Sequence, residues 1–163
     1  MTRLYGWGEK SKRVDDYVPD VRFERTSIIS TLRLSGVNAP MTFKGTLNGE
    51  LFAQYIEEFL APTLSPGDVV VMDNLSSHKV KGVIEPIIAK GATVLYLPQY
   101  SPDLNPIELS WSKVKSILRA LKARTQEKLD FAIKYALDSI TQDDIRNWFA
   151  HDGYFLSNIN INV

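Results

Sequence analysis

The feature that most constrains this chain is the stretch "GDVVVMDNLSSHK" at residues 67–79, where four apolar residues run straight into an aspartate, an asparagine and a turn. Val69 to Met72 shows no polar alternation, so it reads as a strand covered on both faces, the kind found in a sheet flanked by helices. Asp73 then leaves the sheet at its carboxyl edge. In open α/β sheets that edge gathers ligands and catalytic groups, because loops there surround a crevice over a rigid floor. Asp73 also has an ordinary role to fill, opening a turn with Asn74, and this stretch alone does not separate the two. A second apolar run, "ATVLYLP" at 92–98, predicts another buried strand.

Composition bounds the setting. The chain has 163 residues, 44% of them hydrophobic and 23% charged, which suits one soluble domain with a sizeable core. Without cysteine there is neither a disulfide framework nor a thiolate metal site, and an intracellular, cytosolic location is the simplest fit. No apolar run approaches membrane-spanning length, and "MTRLYGWGEKSKRV" lacks the apolar centre of a signal peptide. Nineteen basic residues balance nineteen acidic ones, which excludes a generally basic nucleic-acid binder. Any such binding must be local.

Strands are expected first. "RFERTSIISTLRL" (22–34) and "NAPMTFKGTL" (38–47) flank the turn signal Ser35-Gly36 and should pair antiparallel, while the segment around "YGWGEKSKRVDDYVP" reads as a hairpin or loop. Asn48 is placed to cap a helix over "GELFAQYIEEFLAPTL" that Pro62 stops. "HKVKGVIEPIIAKG" (78–91) reads as a helix capped by Ser76 or Ser77 and ended by Gly91, bent or restarted at Pro86.

After the second apolar run stands "QYSPDLNPIELSWSKVKSILRALKAR", which carries a second carboxylate. Asn105 followed by Pro106 is a strong helix start and puts Glu108 at the third helical position, where an N-x-x-E capping box would occupy it. Ile107, Trp111, Val114, Leu118 and Leu121 form the core stripe of that helix. Glu108, Ser112, Lys115, Arg119 and Lys122 form the adjacent polar one. Residues 109–128 hold six basic side chains, including Lys113, against one acid, a local charge of six minus one, or +5. A solvated helix face accounts for such charges, and so does phosphate contact.

A strand-helix-strand-helix unit with a right-handed crossover brings Asp73 and Glu108 to the same edge of the sheet. Two hard oxygen ligands, without cysteine and without a histidine pair at ligand spacing, suit Mg²⁺ or Mn²⁺ rather than Zn²⁺. Such ions point to phosphoryl chemistry, in which a two-metal site activates the attacking oxygen and stabilises the leaving one.

The motifs "VVVMDNLSSHK", "YLPQYSPDLNPIELSWSKVK" and "MTRLYGWG" together resemble the catalytic part of an insertion-sequence transposase of the mariner-related group, and the similarity runs through to "WFAHDGY". The resemblance implies a ribonuclease H-like α/β fold, a mixed sheet flanked by helices, over residues 1–155, followed by a C-terminal tail at 156–163. It implies that Asp73 is the second metal-binding aspartate of a DDE triad and Glu108 its glutamate. Asn74 and His78 would support the site, and Lys113, Lys115, Arg119 and Lys122 would contact nucleic acid. Mg²⁺ or Mn²⁺ would be the cofactor and DNA, as element ends and target, the partner. A homo-oligomer or an upstream transposase fragment would complete the assembly, in a bacterial cytoplasm at the nucleoid.

In the resembled family the first aspartate lies on the central first strand, upstream of the segment matching "MTRLYGWG". The resemblance therefore implies a chain that starts after this strand and after the helix-turn-helix region. Such a chain is expected to be inactive alone and to refill the vacant strand position by association or by the "MTRLYGWG" segment. Asp15 and Asp16 are the only nearby substitutes for the missing acid and read as solvated turn residues, while Asp103 and Asn105 read as cap and turn residues. His151 reads as structural, packing near Trp148. The competing reading is a non-catalytic DNA-binding or subunit-interaction remnant, and a third is a metal-dependent nuclease without strand transfer.

Overall fold

The computed structural model describes residues 6–15, 24–154 and the backbone of 161–162. Two long strands, β1 (Thr26–Arg33) and β2 (Gly36–Lys44), form the expected antiparallel hairpin, with an irregularity in β1 between Ile29 and Thr31. Helix α1 (Gly49–Tyr55) follows, with Leu51 N–H donating to the Asn48 side chain at 2.8 Å as the sequence predicts. The helix does not run on regularly to Pro62. It widens to a π-helical turn over Ile56–Leu60 and tightens to a 3-10 turn over Ala61–Thr63, which takes Pro62 inside it.

The next strand, β3 (Val69–Met72), is the apolar run that ends at Asp73. The single helix predicted over 78–91 is broken instead. A 3-10 turn over Ser76–Lys79 is separated from α2 (Ile84–Ala89) by Gly82, whose φ of +92° no continuous helix tolerates, and neither Ser76 nor Ser77 makes a cap. Pro86 falls in the first turn of α2, where its missing N–H costs nothing. Strand β4 (Thr93–Tyr96) pairs parallel to β3 but lies at the sheet edge, so Thr93 and Leu95 are exposed rather than buried. Apolar runs of this length do not distinguish edge from centre.

Helices α3 (Pro106–Leu121), α4 (Gln126–Asp138) and α5 (Gln142–His151) complete the chain's helical part. Val70 and Met72 pack against α1, the turns after it and α2, while Val71 packs on the opposite face with Ile107, Ile145 and Phe149. That alternation is the strand period buried on both sides, and it makes β3 the floor of a three-layer α/β/α arrangement. Leu121, expected in the core stripe of α3, is 45% exposed at the last position of the helix.

The five-stranded sheet has the order β2-β1-β5-β3-β4, where β5 is the two-residue strand Ile161–Asn162. Residues read as a tail thus lie between β1 and β3. The described part of "MTRLYGWG", Gly6 to Gly8, is outside the sheet, so it does not refill the central position; residues 1–5 and Asp16 lie outside the described residues.

Candidate active site

Asp73 comes directly off the buried end of β3, and Glu108 is the third residue of α3, whose start is set by a 3-10 turn over Pro102–Leu104 and by Pro106. Both carboxylates line the same two clefts. One, of about 330 Å³, extends from β1 along β3 to His78 and Asn105. The other, of about 280 Å³, opens under the loop Pro98 to Pro102. Asp73 keeps 45% of its side chain exposed and Glu108 is exposed, so two acids face solvent over an apolar floor.

The wall beside Asp73 is fixed. The ring of His78 stacks on Phe52 at 4.1 Å between centroids and is only 15% exposed, and the Tyr96 hydroxyl donates to the His78 carbonyl at 2.9 Å. Gly49 at the start of α1 permits this approach, since a Cβ there would meet Val80 Cγ1 at 2.7 Å. His78 Nδ1 lies 2.5 Å from Asp73 Oδ1 in an ion-pair contact, and both atoms are buried with no other polar partner. The histidine thus bears directly on one oxygen of the carboxylate.

Two further buried oxygens, Asn74 Oδ1 and Asn105 Oδ1, have no hydrogen-bond partner. Buried polar atoms left unpaired cost about 1–3 kcal/mol each, so three orphan acceptors among residues lining one cleft need an explanation. A hard divalent cation supplies one, because it takes carboxylate and amide oxygens as ligands. Among the described residues, no group of three or more Asp, Glu, His or Cys side chains is arranged to hold a metal ion. The oxygen donors fit the chemistry of Mg²⁺ or Mn²⁺, but the acidic set is incomplete.

The capping box does not form. Asn105 is the N-cap without a side-chain hydrogen bond, and only the backbone bond from Glu108 N–H to the Asn105 carbonyl, 3.0 Å, is present. Glu108 is therefore not spent on its own helix. Lys113 departs from the predicted nucleic-acid face: its ammonium donates to Asp144 and to the Ser139 carbonyl, linking α3 to α5. Lys115 and Lys122 are exposed and Arg119 is half-buried.

Asp15 is 73% exposed and paired with Arg13, and Asp103 is exposed in the 3-10 turn. His151 does not pack into the core; 70% of its side chain is exposed, with Nδ1 at 2.7 Å from Asp152 Oδ1. Sequence reasoning treated Asn105 as a cap and turn residue only. Tyr100 is 98% exposed and holds a left-handed φ of 59° at the rim of the second cleft. For a bulky side chain that conformation costs on the order of 1–2 kcal/mol, and such strain concentrates at functional loops.

Solved structures with the same fold include a Mos1 transposase paired-end complex with left transposon end, which is 17% identical with a TM-score of 0.66 and covers 96% of this chain. A Mos1 strand transfer complex is 18% identical with a TM-score of 0.66, again over 96% of this chain. The Mos1 transposase catalytic domain with Raltegravir and Mn is 16% identical with a TM-score of 0.52, over 82% of this chain and 83% of that one. The present chain spans about half the length of the first two, 52% and 51%. The architecture is accordingly ribonuclease H-like. No curated protein matches the chain significantly. No described helix is long and apolar enough to cross a membrane. A match to the DDE superfamily endonuclease family extends over residues 1–130, four-fifths of the sequence, and the chain belongs to that family.

Proposed function

We propose that this chain is the catalytic region of a DNA transposase, with residues 1–155 as its catalytic domain and Asp73 and Glu108 as its divalent-metal ligands. The observation that carries this reading is the shared cleft of the two carboxylates with the orphaned oxygens of Asp73, Asn74 and Asn105 around it. Bound there, Mg²⁺ or Mn²⁺ supplies Lewis-acid activation of the attacking oxygen and charge stabilisation at the leaving one. His78 holds the Asp73 carboxylate in place, and the buried end of β3 keeps it from swinging. Lys115, Arg119 and Lys122 engage phosphates on the flank of α3.

In the first reaction water attacks a backbone phosphorus, the bond from phosphorus to the 3' oxygen breaks, and a 3'-hydroxyl is freed. In the second that hydroxyl attacks a target phosphodiester and displaces its own 3' oxygen, which joins the strands. Because two acids are too few to hold two ions, a further ligand has to enter from outside the described residues, and the chain alone is expected to bind metal weakly. The cellular setting proposed is the bacterial cytoplasm, where insertion-sequence DNA lies.

Mn²⁺ binding followed by electron paramagnetic resonance tests the assignment. Asp73→Asn and Glu108→Gln should each weaken binding at least about tenfold, a loss of about 1.4 kcal/mol. Unchanged affinity in both variants would overturn it.

A further inference from the structure

Strands β1 and β3 do not pair with each other. Among the described residues only β5 stands between them, parallel to β3 through Val69 with Ile161 and Val70 with Asn162, and antiparallel to β1 through Arg33 with Asn162. β1 is eight residues long and β3 four, so among the described residues the sides of Val71 and Met72, and of Ser30 to Leu32, that face this gap have no ladder partner. The cleft of about 330 Å³ is lined by these same stretches of β1 and β3. At its far end the gap is clamped by Arg33, whose Nη2 donates to Asp68 Oδ2 at 2.9 Å. The result is a groove one strand wide with backbone donors and acceptors along both walls.

We infer that this gap is a strand-acceptor groove and that its occupant is the chain's own C-terminal segment, seated through Ile161 and Asn162 and exchangeable because so few bonds hold it. The end of the sequence reads Asn158-Ile159-Asn160-Ile161-Asn162-Val163, a strict polar and β-branched alternation that suits a strand and no other element. In strand addition the main chain supplies affinity and alternate side chains supply selectivity. In the observed register Val71, Met72 and Asp73 lie beyond the pairing of Val70 with Asn162, toward the carboxyl edge of the sheet. Residues 158–163 carry only asparagine, isoleucine and valine, so they bring no acid to the groove. On the reading of Asp73 and Glu108 as metal ligands, they compete for the groove with any extended segment that would bring one.

Metal-free amide hydrogen exchange tests the groove independently of that reading. The full chain is compared with a chain ending at Tyr154 and with full-length Ile161→Pro, whose proline removes a ladder donor. Exchange at Val69, Val70 and Arg33, the residues that pair with β5, should quicken at least about tenfold in both variants while α4 is unchanged, and a synthetic peptide of residues 155–163 should restore protection to the shortened chain where a scrambled one does not. If the shortened chain fails to fold, the proline variant carries the comparison. Equal exchange in the full chain and the folded variants, or protection that rises with protein concentration and so comes from another copy, would overturn the inference.

Discussion

Asp68 and Asp73 bracket the same four-residue strand, and their surroundings are opposite. Asp68 is 2% exposed, and its Oδ2 accepts from Arg33 at 2.9 Å and from the Ser65 N–H at 3.1 Å. Asp73 has 45% of its side chain exposed, and its buried Oδ1 meets only the His78 ring. One carboxylate is consumed by the fold and the other is held open by it. A strand end that leaves an acid unsatisfied beside two unsatisfied amide oxygens stores a cost that binding can relieve. The apolar strand between the two aspartates makes the difference possible, because it fixes both ends without asking either side chain to pack.

The comparison breaks most visibly at Asp68. Asp68→Ala leaves Arg33 half-buried without its partner and should cost about 3–5 kcal/mol in urea unfolding. Asp73→Asn should change stability by no more than about 0.5 kcal/mol. Equal losses would mean that both aspartates serve the fold.

Asp144 sharpens the contrast with a second satisfied acid. It closes a capping box with Thr141 and receives the Lys113 ammonium, so Asp144→Ala should cost about 1–2 kcal/mol. The Lys113 hydrogen bond, with help from the Thr141 backbone, holds its carboxyl down at about 2. A depressed folded pKa stabilises fully above the unfolded value of about 3.9 and is lost as pH falls toward about 2. Stability measured against pH should therefore drop through that window in the parent and drop less steeply in Asp144→Asn.

The smallest effect lies on the helix face. Replacing Lys115, Arg119 and Lys122 with glutamine should lower the log-log salt slope of duplex binding by about 0.9 per lost contact, with little change in stability. Lys113→Gln should do the reverse, weakening the α3 to α5 link rather than the salt slope. An unchanged slope in the triple variant would return the stripe to solvent.

The strand ending at Asp73, the hairpin before it and the start of α3 were legible because each rests on local chemistry: an apolar run, a Ser-Gly turn, an Asn-Pro helix start. The placement of Asp73 and Glu108 in one cleft followed from the handedness of the crossover. What was not legible depends on packing between distant parts. Nothing in "ATVLYLP" says that β4 is an edge, nothing near Gly82 predicts the break more strongly than the helical pattern around it, and Lys113 is drawn to Asp144 by the arrival of α5. The Arg33 to Asp68 bridge joins residues 35 apart in sequence and had no local signal. The alternation before Val163 was present in the sequence, but only the register against β3 gives it a place in the sheet.

Thermal unfolding with and without Mn²⁺ tests the open-carboxylate account most directly. At a hundredfold excess of Mn²⁺ over its dissociation constant the parent chain should gain about 2.7 kcal/mol, whereas Asp73→Asn and Glu108→Gln, as stable as the parent without metal, should gain far less. An Asp73→Asn chain that is already destabilised in metal-free buffer, or that keeps the full Mn²⁺ stabilisation, would contradict the account.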